Sequence, residues 1–86
     1  ITITKENSKE WEEKLKDVTR ITGNLYIYSN AELKAGKLRS VGGYLYIYSN
    51  AELKAGKLDE VKGEMYIDKT AKVSDNIIVL QVAKVL

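Results

Sequence analysis

Fourteen consecutive residues, 25–38, recur without change at 45–58, both reading LYIYSNAELKAGKL. Self-similarity at a fixed period of twenty narrows the possible folds more than any other feature of the chain. A degenerate third copy follows. Gly63-Glu64-Met65-Tyr66-Ile67 aligns with Gly43-Tyr44-Leu45-Tyr46-Ile47, and Thr70-Ala71-Lys72-Val73 aligns with Asn50-Ala51-Glu52-Leu53. Upstream, Val18-Thr19-Arg20-Ile21 aligns with Leu38-Arg39-Ser40-Val41 and with Leu58-Asp59-Glu60-Val61. A unit of this size cannot bury its own apolar face, but stacked units share one continuous core.

Each unit contains a short period-two alternation. Leu25 and Ile27 alternate with Tyr26 and Tyr28, Leu45 and Ile47 with Tyr46 and Tyr48, and Met65 and Ile67 with Tyr66. Such a segment is a strand with one face in the core and one in water. Because the same connection joins each strand to the next, the strands run parallel. The return path from Ala31 to Leu38 offers Ala31, Leu33, Ala35 and Leu38 to the core and Lys34 and Lys37 to solvent, a spacing that predicts a single helical turn or an irregular arc. Gly36 and Gly56 are matched by Asn76 in the third copy, and Gly and Asn tolerate left-handed backbone, so positive φ is expected at these positions. Gly23, Gly43 and Gly63 mark the turn or bulge that leads into each strand.

The run Leu45-Tyr46-Ile47-Tyr48-Ser49-Asn50 with Leu53 resembles the leucine-rich-repeat pattern L-x-L-x-x-N. The run Val18-Thr19-Arg20-Ile21-Thr22-Gly23-Asn24-Leu25-Tyr26-Ile27 looks like the start of a coil in receptor L domains, a related right-handed solenoid. The resemblance covers roughly residues 18–80. It implies an α+β, mainly β fold: a short right-handed parallel β-solenoid of 20-residue coils with an N-terminal capping helix. It also implies that Asn30 and Asn50 turn inward to bond neighbouring backbone, a ladder weakened where Thr70 replaces them. A bacterial type of this class would sit at the cell surface or be secreted. L domains are larger and often disulfide-bonded, so receptor function does not follow, and the motifs specify fold far better than function.

The whole of 1–86 reads as one domain: a cap over 1–20, coils over 21–40, 41–60 and 61–76, and a C-terminal cap strand over 77–86. Open stacks need such caps because each end exposes core and strand edge. Ile1-Thr2-Ile3 alternates as a first strand, and Asn7 or Ser8 is the expected N-cap of a helix through about Lys16. Trp11, Leu15 and Val18 form one apolar stripe, with Trp11 read as a lid on the core or else as a ligand-stacking ring. Glu10–Lys14 and Glu12–Lys16 are the expected i,i+4 pairs. Ile77-Ile78-Val79-Leu80-Gln81-Val82 is apolar on both alternating faces, which predicts a packed terminal strand or a homodimer interface.

Composition restricts the chemistry. At 86 residues the chain buries only about 60% of its unfolded surface. It contains no cysteine and no histidine, which removes disulfides, thiolate metal sites, thiol catalysis and the commonest general base. A net charge of +2 with interspersed signs gives no footprint for nucleic acid. No apolar run approaches the ~20 residues that span a bilayer. A chain beginning at Ile1 reads as processed or trimmed, with a lost targeting segment left open. No phosphate loop, nucleophile elbow or metal spacing occurs, and no catalytic residue, cofactor or metal is assigned. Asp59, Glu60 and Glu64 are close enough to suggest a cation, but Arg39 and Ser40 stand where Asp59 and Glu60 would be one coil earlier.

The outward strand positions make a grid: Asn24, Tyr26 and Tyr28, then Tyr44, Tyr46 and Tyr48, then Glu64, Tyr66 and Asp68. Parallel strands lie ~4.8 Å apart, so all six tyrosines fall on one patch. Tyrosine suits recognition surfaces, yet in-register aromatic columns also stabilise a sheet with no ligand at all. Two functions therefore stand side by side. One is a non-enzymatic scaffold that folds or self-associates through its ends; the other is a module binding a protein, peptide or glycan on the tyrosine face. The unbroken fourteen-residue copy implies recent duplication or deliberate construction. Replacing Tyr46 and Tyr48 with Thr is expected to cost little stability and to abolish any binding. Along the back, Glu32 over Glu52, Lys34 over Lys54 and Lys37 over Lys57 read as a solvated face.

Overall fold

The computed structural model describes residues 1–85. The fold is α+β and mainly strand, with three parallel sheets and a helix at each end. Strand β1 (Thr2–Ile3) and helix α1 (Ser8–Leu15) precede the repeats. The first repeat carries β2 (Arg20–Ile21), β3 (Leu25–Ile27) and β4 (Glu32–Lys34). The second carries β5 (Ser40–Val41), β6 (Leu45–Ile47) and β7 (Glu52–Lys54). The third carries β8 (Glu60–Val61), β9 (Met65–Ile67) and β10 (Lys72–Val73), and then runs into helix α2 (Asp75–Val85).

Within the repeats each strand pairs in parallel with its counterpart twenty residues away, and β1 pairs with β3 in parallel through Thr2 beside Tyr26. Tyr26 faces Tyr46 and Tyr46 faces Tyr66; Leu33 faces Leu53; Ile21 faces Val41, which faces Val61. The sheets are β1-β3-β6-β9, β4-β7-β10 and β2-β5-β8. Inward residues form columns of like side chains: Leu25 with Leu45, Ile3 with Ile27 and Ile47, Leu33 with Leu53, and Leu38 with Leu58, all buried. No polar side chain is buried among the described residues, so burial of these apolar columns holds the fold together.

The return path is a strand, not a helical turn or arc. Ala31, Leu33 and Ala35 alternate with Glu32 and Lys34, and a neighbour at the same phase twenty residues away offers partners to the backbone groups on that side. Bonds from Glu52 N to the Ala31 carbonyl and from Ala35 N to the Lys54 carbonyl, both 2.9 Å, continue that ladder past the strand. Positive φ falls at Asn30 (65°) and Asn50 (58°), and at no glycine. The left-handed step therefore sits at the Ser-Asn corner, and the expectation for Gly36, Gly56 and Asn76 does not hold. Asn30 and Asn50 are exposed, so the inward asparagine ladder implied by the leucine-rich-repeat resemblance is absent. Ala31 and Ala51 occupy the inward position instead.

The ends differ from each other. At the front, β1 covers the edge of β3, and the terminal amine of Ile1 donates to the Asn24 carbonyl at 2.9 Å. Helix α1 lies against β4, with Leu15 buried and Trp11 and Val18 half-buried against the core. Glu12 does not pair with Lys16; its carboxylate accepts the Lys34 amide at 2.8 Å, on the edge strand β4. Lys16 pairs with Glu13 at 2.9 Å instead, while Lys14 and Glu10 pair at 3.1 Å as expected. Asn7 occupies the N-cap position without capping the helix. Its side chain turns back, accepting from Thr4 N at 2.7 Å and donating to the Thr2 carbonyl at 3.1 Å.

At the other end, the expected terminal strand over 77–86 is helix α2 as far as Val85, so a homodimer through Ile77 to Val82 would meet a helix face and not a strand edge. A run of four apolar residues fits either period, and as a helix it sets Ile77 and Leu80, three residues apart, on one face against the core. Ile77 is fully buried and Leu80 half-buried, whereas Ile78, Val79 and Val82 face solvent. Asn76 Nδ2 donates to the carbonyls of Ala55 (2.8 Å) and Leu58 (2.7 Å), and the Ser74 hydroxyl accepts from Ala55 N at 3.0 Å. These three bonds use backbone groups of the second repeat beside the turn where the third gives way to helix.

Candidate functional site

The tyrosine grid is the outward face of the four-stranded sheet. Its columns follow from register alone: Thr2, Tyr26, Tyr46 and Tyr66 lie side by side across β1, β3, β6 and β9. The flanking positions add Tyr28 beside Tyr48, and Asn24 beside Tyr44 and Glu64. All six tyrosines predicted from the sequence (Tyr26, Tyr28, Tyr44, Tyr46, Tyr48 and Tyr66) are thus brought to one surface.

The rings lean on one another. Tyr26 meets Tyr46 edge-on at 5.7 Å, and Tyr28 meets Tyr48 edge-on at 5.4 Å. Tyr44 and Tyr46 stack at 5.7 Å with planes 17° apart. Edge-to-face and offset-stacked pairs follow the ring quadrupole. Tyr26, Tyr46 and Tyr48 are half-buried by this packing, while Tyr28, Tyr44 and Tyr66 keep 43–47% of their surface in water.

The hydroxyls have assigned partners at the third row. Tyr46 donates to Glu64 Oε2 and Tyr66 to Asp68 Oδ1, each at 3.2 Å. Asp68 also accepts from the amide of Thr70 at 2.9 Å and from its hydroxyl. Crowding by neighbouring rings, then the bond to Glu64, holds the Tyr46 phenol above its ordinary pKa. The bond to Asp68 does the same for Tyr66. Asp68 itself lies below the usual carboxylate range, chiefly because Thr70 donates to it. On the first row, Asn24 accepts from Tyr44 N at 2.8 Å and donates to the Tyr26 hydroxyl at 3.0 Å.

Between rows two and three lies an open depression of about 400 Å3, lined by Tyr46, Tyr48, Glu64, Met65 and Tyr66. Met65 was read from the sequence as a core residue. It is only half-buried because β9 is an edge strand, a consequence of strand order that alternation does not encode. Among the described residues no three acidic side chains converge on a cation-sized space, and no helix is long and apolar enough to cross a membrane. The opposite surface carries Glu32–Lys34 and Glu52–Lys54 pairs within their strands, at 4.0 and 3.3 Å. Lys37 pairs with Asp17 at 2.9 Å, and that lysine pulls the Asp17 carboxyl below its usual range.

Compared with protein-family models, with curated proteins and with solved structures, the chain matches none.

Proposed function

We propose that the chain is a non-enzymatic recognition module, a short right-handed solenoid of leucine-rich-repeat type that contacts a peptide, protein surface or glycan through its tyrosine sheet. The twenty-residue period and the parallel register in all three sheets support the solenoid. The exposed Asn30 and Asn50 make it a variant without the asparagine ladder. The observation that carries the function is the gathering of every tyrosine on one face, three of them nearly half exposed, around an open depression. Large amphipathic rings held by a rigid sheet bring contact area at little entropic cost. The non-enzymatic reading rests on the lack of His and Cys and on a face of phenols and carboxylates with no assigned base.

A scaffold role is the second reading, favoured by the way the rings pack on each other. Each ring pair on this face includes Tyr46 or Tyr48, so these two stabilise the sheet whether or not a ligand exists. Replacing both with Thr therefore costs more than the sequence predicted, about 2–4 kcal/mol at ordinary aromatic-pair strengths. Tyr28 and Tyr44 make the cleaner test. Screening the folded protein on peptide and glycan arrays should find a ligand whose binding is lost in the Tyr28→Thr/Tyr44→Thr variant, at a cost in stability of about 1–2 kcal/mol. An empty array from well-folded protein leaves the scaffold reading in place.

A further inference from the structure

At the open edge of the sheet, the rings of Tyr46, Tyr48 and Tyr66 stand at the corners of a nearly equilateral triangle. Their centroids are 6.4 Å apart for Tyr46–Tyr48, 6.1 Å for Tyr46–Tyr66 and 6.2 Å for Tyr48–Tyr66. Their planes are inclined to one another by 76°, 62° and 48°, the arrangement of walls rather than of a flat stack. Glu64 and Met65 complete the lining. We propose that this depression binds a quaternary ammonium group, of the kind carried by choline or by a trimethylated lysine. The inference rests on the recognition reading of the tyrosine face and names the chemistry of one part of it.

Three features select that ligand. A cation roughly 3 Å above the plane of the three centroids lies within about 6 Å of each ring, the range over which the aromatic quadrupole attracts positive charge. Two of the three phenols at the site donate to carboxylates, Tyr46 to Glu64 and Tyr66 to Asp68, which draws electron density into those rings and sets negative charge beside them. The third feature concerns acceptors. A primary ammonium or guanidinium brings three to five N–H donors that need partners. Here Glu64 Oε2 accepts from Tyr46 and both oxygens of Asp68 are engaged by Tyr66 and Thr70, so among the described residues Glu64 Oε1 is left as the acceptor of that pair with no bond, fewer partners than such donors need. A quaternary ammonium has no N–H to satisfy. It asks only for ring surface and nearby negative charge.

The test is a nuclear magnetic resonance titration of the full chain with choline chloride and, separately, with 3,3-dimethylbutan-1-ol, which has the same shape and no charge. Choline should shift the ring signals of Tyr46, Tyr48 and Tyr66 saturably, and the neutral analogue should bind about tenfold more weakly or not at all. Tyr66→Leu keeps apolar bulk on a half-exposed edge position, so the protein should stay folded and lose choline binding. Glu64→Gln should weaken it several-fold, and Glu52→Gln, on another sheet, should leave it unchanged. Trimethyl-lysine and unmethylated versions of one peptide separate the two sources of the group: tighter binding of the methylated peptide than of choline supports a side chain, and the reverse supports a free small molecule. Equal binding of choline and its neutral analogue overturns the proposal, as does no saturable binding to folded protein, or binding that survives Tyr66→Leu. An array ligand lost with Tyr28→Thr/Tyr44→Thr, together with no choline binding, would sink this inference alone and leave the recognition reading standing.

Discussion

Glycines at two corners of the repeat do opposite work in this chain. Gly36 has negative φ, and a Cβ built there meets nothing within 4 Å. Gly63 has no such room: an added Cβ would lie 2.6 Å from the Gly43 carbonyl carbon and 2.6 Å from the Tyr44 ring. The corner glycines stack directly, with Gly63 N donating to the Gly43 carbonyl and Gly43 N to the Gly23 carbonyl, both at 3.0 Å. Gly36→Ala should therefore stabilise the fold by about 0.4–1 kcal/mol, through the unfolded chain's lost freedom. Gly63→Ala should destabilise it by about 1–3 kcal/mol, because backbone must move. Denaturant midpoints of the two variants decide both, and a loss in Gly36→Ala would contradict the negative φ. The sequence reading assigned the special conformation to Gly36 because Gly and Asn alternate there. Asn30 and Asn50 hold the left-handed step instead, with exposed side chains where the family resemblance implies a ladder.

At the scale of elements, the two helices close the stack by different means. Helix α1 sets Leu15 and Trp11 on the core and adds one carboxylate, Glu12, to an edge strand, while α2 inserts Ile77 into the core and ties Asn76 to two carbonyls of the preceding repeat. Asn76→Ala leaves those carbonyls without that donor and should cost about 1–3 kcal/mol. Ile77→Ala opens a cavity at the end of the core and should cost about 2–5 kcal/mol. Both losses should appear as lower midpoints in chemical denaturation, with little change in the far-ultraviolet signal of the folded state. Helix α2 also leaves Ile78, Val79 and Val82 in water, at 47%, 67% and 53% exposure. Self-association through the C-terminal end, proposed for this chain in place of the lost strand pairing, would use that face. Light scattering at rising concentration should show a larger species that Val79→Glu converts to monomer. A monomer at every concentration removes the idea.

For the whole molecule, pH is the informative variable, because the shifted groups sit on defined surfaces. Asp17 and Asp68 have depressed values in the folded state, through Lys37 and Thr70 respectively. Their contribution is complete above the ordinary carboxylate value of about 4 and is lost as pH falls through the depressed ones. Tyr46 and Tyr66 have raised values, so the fold keeps those protons longer than the unfolded chain does. Stability should accordingly fall as pH rises past about 10, the ordinary phenol value. Denaturant midpoints across both limbs, with phenolate absorbance followed on the alkaline one, test this. Phenols that all ionise like free tyrosine would remove the Tyr46–Glu64 and Tyr66–Asp68 bonds from consideration.

The sequence by itself determined the repeat, the parallel pairing at a twenty-residue offset and the membership of the tyrosine face. All three follow from period and alternation, which are local and survive any arrangement of the chain's ends. Only the tertiary structure decided that the return path is a strand, since that depends on a neighbour's backbone being in register to receive its hydrogen bonds. It also decided that the last apolar run is a helix, because an unbroken apolar run fits either period until its neighbours choose one face, and here Ile77 and Leu80, three residues apart, meet the core. The candidate site divides the same way. Six tyrosines on one face could be read from the sequence, but the three-ring depression with Glu64 and Met65 exists because β9 is the last strand of its sheet.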